Sequence, residues 1–333
     1  MSMPPGAEPL PRTSDPPTIS VVIPTRNRLP LLRQAVASVV RQTDNGWECL
    51  VIDDDSEDGT ADWIRSGGDL RVKLTVLSAR GGRSHARNQG LFQAQGRAVV
   101  FLDDDDLLAP GAVAAFARGL VASPGAVAVV GGRVTLRSDG TPGRPVRMTT
   151  RPEDRLLWPE IMFGWCPLQG QAAIRTEALT GLGGWNEGLS DSEDRELWVR
   201  LTHDTTVAML REVVVAHRTT GAPLEGDPAH AEMAVSDFLD TLSPESRSAG
   251  RRFIAARRRL VPALKAQSSR RFATASMLWL RAAMSVPTLA VGRRTRGFFL
   301  PGLGRSLVGA AVGVRGYERL RELRRRRGDR GGF

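Results

Sequence analysis

Two cysteines, one tyrosine and four histidines among 333 residues narrow the chemistry at the outset. Cys49 and Cys166 are too few for a disulfide framework, and no Cys or His spacing has the pattern of a zinc site. No G-x-x-x-x-G-K-[ST] and no G-x-G-x-x-G occurs, which removes the Walker and dinucleotide-binding readings. Long apolar runs are also missing. The best candidate, residues 272–292, is broken by Arg281 and Pro287, and an arginine at mid-span is expensive in lipid, so no transmembrane helix is expected there. The opening "MSMPPGAEPLPRTSDPPT" lacks a basic segment followed by an apolar one and does not read as a secretory signal. The expectation is a cytoplasmic protein with a disordered, proline-rich leader over 1–17.

Charge is plentiful but unevenly spread. The formal net charge is +10, yet residues 1–250 hold 25 Lys and Arg against 33 Asp and Glu, while 251–333 hold 21 against 3. So basic a tail fits three partners: an anionic membrane surface, which ranks first, bulk solvent around a helical face, and nucleic acid, which ranks last.

Short β-branched runs alternate with helical periodicity. "TISVVI" (18–23) precedes a loop and then "LLRQAVASVVRQ", where Leu31, Leu32, Ala35, Val36, Val39 and Val40 recur at helical spacing behind Pro30. Strands follow at 48–52, 71–77 and 97–102, separated by a short helix at 60–67 and a longer one ending at Gly96. A helix from Pro110 to about Ser123 and a strand over 125–132 continue the pattern, which loosens over 133–225 apart from a helical stretch at 192–202. From about 230 the chain reads as helical and then increasingly basic. Such alternation predicts an α/β fold, with a mainly parallel sheet flanked by helices and ligands at the carboxyl ends of the strands.

Two acidic clusters, 53–55 and 103–106, fall at such ends. Four consecutive aspartates repel one another and cannot be buried unpaired, so they face water or a cation. Asp103 and Asp105, one residue apart, aim two carboxylates at a common point, as a hard divalent cation such as Mg²⁺ or Mn²⁺ requires. An acidic cap on the helix near 110 and a phospho-acceptor pocket are alternative readings. A calcium loop starting at Asp54 fails because its twelfth position is Arg65. "FGWCPLQGQ" (163–171), glycine-containing and with Trp165 and Gln169, suits either a core segment or a loop with an aromatic face for stacking, and Trp185 reads the same way.

"SVVIPTRNR", "LLRQAVASVVRQT", "VIDDDSEDGT", "ARNQGLFQAQGRAVVFLDDDDLLAPGAV" and "GGWNEGLSDSEDRELWVRL" together resemble family 2 glycosyltransferases, from about residue 18 to about 220. The resemblance implies a GT-A fold with a Rossmann-like sheet over 18–228, followed by a helical, Arg-rich extension over 229–333. It further implies an inverting enzyme moving a sugar from a UDP-, GDP- or dTDP-linked donor to a hydroxyl acceptor, lipid-linked acceptors included. Pro24, Thr25 and Arg28 match the loop bordering the nucleotide, and Asp54 the acid that contacts the base. Arg83 and Arg87 match the segment reaching base or diphosphate. Asp103 and Asp104 fall in the donor-binding part of the D-x-D-like signature, with Asp103 near ribose or metal, and Asp105 is the principal metal ligand. The family more often has a small residue at the position of Asp104. "SED" (192–194) matches the catalytic base, Asp194 with Glu193 as its neighbour, and His217 matches a histidine that contacts metal or diphosphate. A plain structural histidine at 217 and surface charge at 83 and 87 are the bland alternatives. A silent nucleotide-sugar-binding scaffold and a metal-dependent nucleotidyltransferase are the rival functions.

Overall fold

The computed structural model describes residues 18–137, 139–148, 166–189 and 191–218, with 235–236, 238–244, 247–248, 251, 266 and 272–285. The leader, Trp165 and most of the basic tail lie outside the described residues. Two compact units result, and the first contains nearly all of the sheet.

In that unit, β1 (Ile19–Thr25) is buried along almost its whole length and lies between β2 (Trp47–Asp53) and β4 (Ala98–Phe101), parallel to both. Strand β3 (Val72–Val76) adds to β2, also in parallel. Near-continuous Val, Ile and Leu in β1, β2 and β4 is the composition of strands covered on both faces. Helices cover them: α1 (Leu29–Val40) buries Leu32, Ala35, Val36 and Val39, and α4 (Ala112–Ala122) buries Val113, Ala115, Phe116 and Leu120. Between β2 and β3 runs the short α2 (Thr60–Arg65), and α3 (Arg83–Gln93) lies close against β1. A Cβ at Gly90 would come within 2.3 Å of Val22 Cγ1, so only glycine admits this approach.

Beyond β4 the sheet changes direction, where the sequence pattern predicted a mainly parallel arrangement. The strand order is β3-β2-β1-β4-β7-β6-β8-β5. Strand β7 (Ala172–Arg175) runs antiparallel to both β4 and β6 (Ala126–Leu136). The two-residue β5 (Leu107–Leu108) pairs antiparallel with the end of β8 (Thr206–Arg218). Hydrophobic periodicity carries no strand direction, and the long segment between β6 and β7 hides their pairing. A short α5 (Thr176–Gly181) follows β7.

In the second unit, α6 (Glu193–Thr202) buries Leu197, Trp198, Val199 and Leu201, and a 2.6 Å ion pair joins Glu196 to Arg200 one turn on. His203 meets Phe238 edge-on. Helix α7 (Phe272–Ser285) buries Phe272 and Ala275. No helix among the described residues is long and apolar enough to cross a membrane.

A buried carboxylate staples the parallel half. Glu48 accepts hydrogen bonds from Ser20 Oγ (2.7 Å) and the Gln95 N–H (2.7 Å) on one oxygen, and from Lys73 Nζ (2.8 Å) on the other. Burial alone would raise its pKa, but the bonds from Lys73, Ser20 and Gln95 prevail and hold it below the ordinary glutamate range. A depressed carboxylate stabilises the fold above its unfolded pKa, and that contribution is lost as the pH falls through its folded pKa. Glu48→Gln is therefore expected to cost about 2 kcal/mol at neutral pH. In thermal melts run from pH 7 to 3, the gap to the unsubstituted protein should close on the acid side.

Candidate active site

Strand order reverses between β1 and β4, and in a parallel sheet this is where a crevice opens at the carboxyl ends of the strands. The four aspartates follow β4 at that point, and each is paired. Asp103 accepts from Arg87 Nη2 at 2.8 Å. Asp104 turns inward, taking the Thr25 hydroxyl at 2.8 Å on one oxygen and Arg28 Nη1 at 3.1 Å on the other. The same Arg28 nitrogen reaches Asp105 at 3.1 Å. Asp106, which is 1% exposed, lies 2.9 Å from His217 Nδ1 and accepts the backbone N–H of Arg218 at 2.8 Å.

The electrostatics follow from burial and pairing. Burial pushes the Asp104 carboxyl up against the opposing pull of Thr25 and Arg28. Burial likewise raises Asp106 in spite of His217 and the Arg218 amide. For Arg28 burial works downward, but Asp104 and Asp105 outweigh it and hold the guanidinium charge more firmly. His217 is raised chiefly by its hydrogen bond to Asp106, with burial opposing and Asp103 and Asp105 adding.

One carboxylate oxygen each of Asp103, Asp105 and Asp106 lies within 4.8 Å of the other two. A set of oxygen donors with two of its members half exposed fits a hard divalent cation such as Mg²⁺ or Mn²⁺, which keeps several waters and shares substrate oxygens.

Around this cluster the loops are tied to one another. Asp54 accepts the N–H groups of Gly81 (2.6 Å) and Gly82 (2.9 Å), anchoring the loop that opens α3 to the end of β2. Asn27, held at a φ of 53°, accepts from the Glu57 N–H and donates its own N–H to Ser56 Oγ. Asp58 takes the Leu29 N–H at the start of α1.

The site residues expected from the sequence are therefore distributed as follows. Thr25, Arg28, Arg87 and Asp103 to Asp105 form one bonded group, with His217 joined to it through Asp106. Pro24 is half-buried in β1, and Arg83 is exposed at the first position of α3. Arg87 is 2% exposed, so it is not surface charge. Gln169 is half-buried next to Gly170, where an added Cβ would come within 3 Å of both Val215 and Leu102. Trp185, Glu193 and Asp194 belong to the second unit. Trp185 and Glu193 are buried, while Asp194 is half-buried and accepts the Arg195 N–H at 2.7 Å. Ser192, just before this pair, has a φ of 60°, in the left-handed region. The residue that sequence reasoning left without a role is Asp106. Its partner His217 is 111 residues away, and no local pattern announces the pairing.

The family model described as glycosyl transferase family 2 matches residues 20–179. Among curated relatives, an Escherichia coli UDP-Glc:alpha-D-GlcNAc-diphosphoundecaprenol beta-1,3-glucosyltransferase is 38% identical over 89 residues, which is 27% of this chain and 35% of the relative. The match thus spans about a third of that relative's length. Among solved structures, S. aureus TarS 1-349 in complex with UDP-GlcNAc superposes with a TM-score of 0.59 at 16% identity, covering 89% of this chain and 92% of that one. The mannosyltransferase PcManGT from Pyrobaculum calidifontis, in complex with GDP-Man and Mn²⁺, gives a TM-score of 0.51 at 20% identity, covering 90% and 87%. At these identities the likeness shows the fold.

The Asp54 anchor can be tested without any ligand. Asp54→Ala removes two hydrogen bonds to a charged acceptor and should cost about 3 kcal/mol in a denaturant titration. Amide exchange at Gly81 and Gly82 should speed up more than at residues of β1.

Proposed function

We propose, from the premise that residues 20–179 belong to glycosyl transferase family 2, that this chain moves a sugar from a nucleotide-diphosphate sugar to an acceptor hydroxyl with inversion. The observation that carries the reading is the carboxylate group of Asp103, Asp105 and Asp106 at the β1/β4 switch point, faced by Arg28 and Arg87. Two guanidinium groups over an oxygen-rich cation site suit a diphosphate bridged to a metal. The GT-A architecture anticipated from the sequence is the fold of the chain.

In this reading Asp103, Asp105 and His217 are the residues that would hold a divalent cation. Bound there, the cation supplies Lewis-acid neutralisation of the charge that develops on the departing nucleoside diphosphate. Arg28 and Arg87 exchange their carboxylate partners for phosphate oxygens. Pro24, Thr25, Asp54 and Arg83 border the nucleotide, and Asp104 fixes the Thr25 and Arg28 side chains. Asp194, with Glu193 as its neighbour, removes the acceptor proton as the hydroxyl oxygen attacks the anomeric carbon. The bond from that carbon to the diphosphate breaks in the same displacement, which inverts the centre. Gln169, Trp185 and Trp165 serve the acceptor.

The catalytic domain in this proposal is 18–228, and 229–333 docks it on an anionic membrane surface, suiting a lipid-linked acceptor. The chain's relative is named for such an acceptor, and the charge of 251–333 has the sign that attracts acidic lipid. Binding of the full chain to phosphatidylglycerol vesicles should weaken steeply with added salt, and neutral vesicles should capture none.

The activity test is a panel of UDP-, GDP- and dTDP-sugars, with and without Mn²⁺, read as nucleoside diphosphate release. Release should need the metal and fall by at least about 100-fold in Asp105→Ala. Asp194→Asn should lose transfer to a similar degree while a thermal shift with donor persists. Release of pyrophosphate instead would move the reading to nucleotidyl transfer.

A further inference from the structure

Among the described residues, α7 is the one element that exposes two large apolar side chains. Met277 and Leu280 are each 47% exposed and stand three residues apart on the same helix. Ala273 and Thr274, one turn earlier, are exposed as well, and none of the four carries a charge. A second stripe of the helix is closed. Phe272, Ala275 and Ser276 are buried, and Ser276 Oγ donates to the Phe272 carbonyl at 2.9 Å. Positions 273, 277 and 280 fall within about 60° of one another around a helix of 3.6 residues per turn, so the exposed residues form one continuous strip.

Charge decides what can cover that strip. Between residues 251 and 317 the sequence holds 14 Lys and Arg and no Asp or Glu. A second copy of the chain would bring the same charge to the contact, and the two basic stretches would repel. Nucleic acid held through its phosphates would engage the arginines and leave the apolar strip in water. An anionic bilayer surface meets both needs, with phosphates for the arginines and an acyl-chain boundary for Met277 and Leu280. Arg281, within the helix, counts against a crossing and is ordinary in a helix that lies along the boundary.

We propose that α7 lies in the interface of an anionic bilayer, with Ala273, Met277 and Leu280 set into the acyl-chain boundary, so that the chain holds the membrane by insertion as well as by charge. The inference rests on the membrane-docking reading above and names the apolar contact within it. Two half-exposed side chains are too little to hold the chain on uncharged lipid, where even a single myristoyl chain binds only marginally. Charge brings the surface close, and the apolar strip slows departure.

Met277→Ser combined with Leu280→Ser leaves the net charge unchanged. Both positions are half exposed, so the double variant should melt where the unsubstituted chain does. Its affinity for phosphatidylglycerol vesicles at low salt, measured by co-sedimentation, should fall about 10-fold, since each side chain has only about half its surface left to bury. Cys49 and Cys166 are buried, so a Met277→Cys chain can be labelled selectively under native conditions. A fluorophore there should shift its emission to the blue on these vesicles, and a quencher near the headgroup should act on it more than one at the acyl terminus.

Equal binding by the double variant, or an unshifted fluorophore, would overturn the insertion and leave docking by charge standing. An unsubstituted chain that ignores phosphatidylglycerol vesicles would sink docking and insertion together. Quenching greatest at the acyl terminus would mean a helix that crosses, and a lipid-free dimer that the double substitution dissociates would give the strip to a second copy; either result overturns the proposal.

Discussion

Four adjacent carboxylates at the end of a buried strand must each be compensated, and much of the molecule around them is arranged to do so. Thr25 comes from the end of β1, Arg28 from just before α1, Arg87 from α3, and His217 and Arg218 from β8. The partners arrive on several elements far apart in the chain, so the sheet order is what makes the charge cluster tenable. In water the repulsion between neighbouring aspartates is mild; in a partly enclosed crevice it is several times larger. Guanidinium groups reduce it, Arg87 at Asp103 and Arg28 at Asp105.

The parallel half of the fold was legible from the chain alone. β-Branched runs at 18–23, 48–52, 71–77 and 97–102 became β1 to β4 within a residue or two; β1, β2 and β4, covered on both faces, carry the strongest apolar signature, while β3 at the sheet edge is only partly buried. The short helix after Gly59 and the longer ones behind Pro30 and Pro110 were equally plain. The reading did not resolve β5, and from residue 133 it resolved no strands. Two residues suffice for β5, and β8 alternates buried and exposed positions too irregularly to stand out. Their pairing is set by tertiary contacts, which local periodicity does not encode.

The site was legible by residue type but not by connection. The acidic run pointed to a cluster of oxygen donors, and Arg28 and Arg87 are hydrogen-bonded to its members. That Asp104 would turn inward to Thr25, 79 residues away, follows only from the β1/β4 crossing. The Asp104 carboxylate finds a hydroxyl and a guanidinium within reach there. Asp106 and His217 were both in view as letters, yet their contact spans the whole antiparallel half.

That span has a consequence for how the chain is made. A ribosome delivers the aspartates long before it delivers the β8 residues that hold Asp106, and closing β5 on β8 joins positions over a hundred residues apart. Contacts this distant in sequence are slow to form, because the loop entropy must be met before any pairing energy is returned. The nascent domain therefore carries an acidic turn with one buried position still open to water. Completion of the acidic turn is coupled to arrival of β8, so a truncated chain ending before residue 206 holds the aspartates without the residues that bond Asp106.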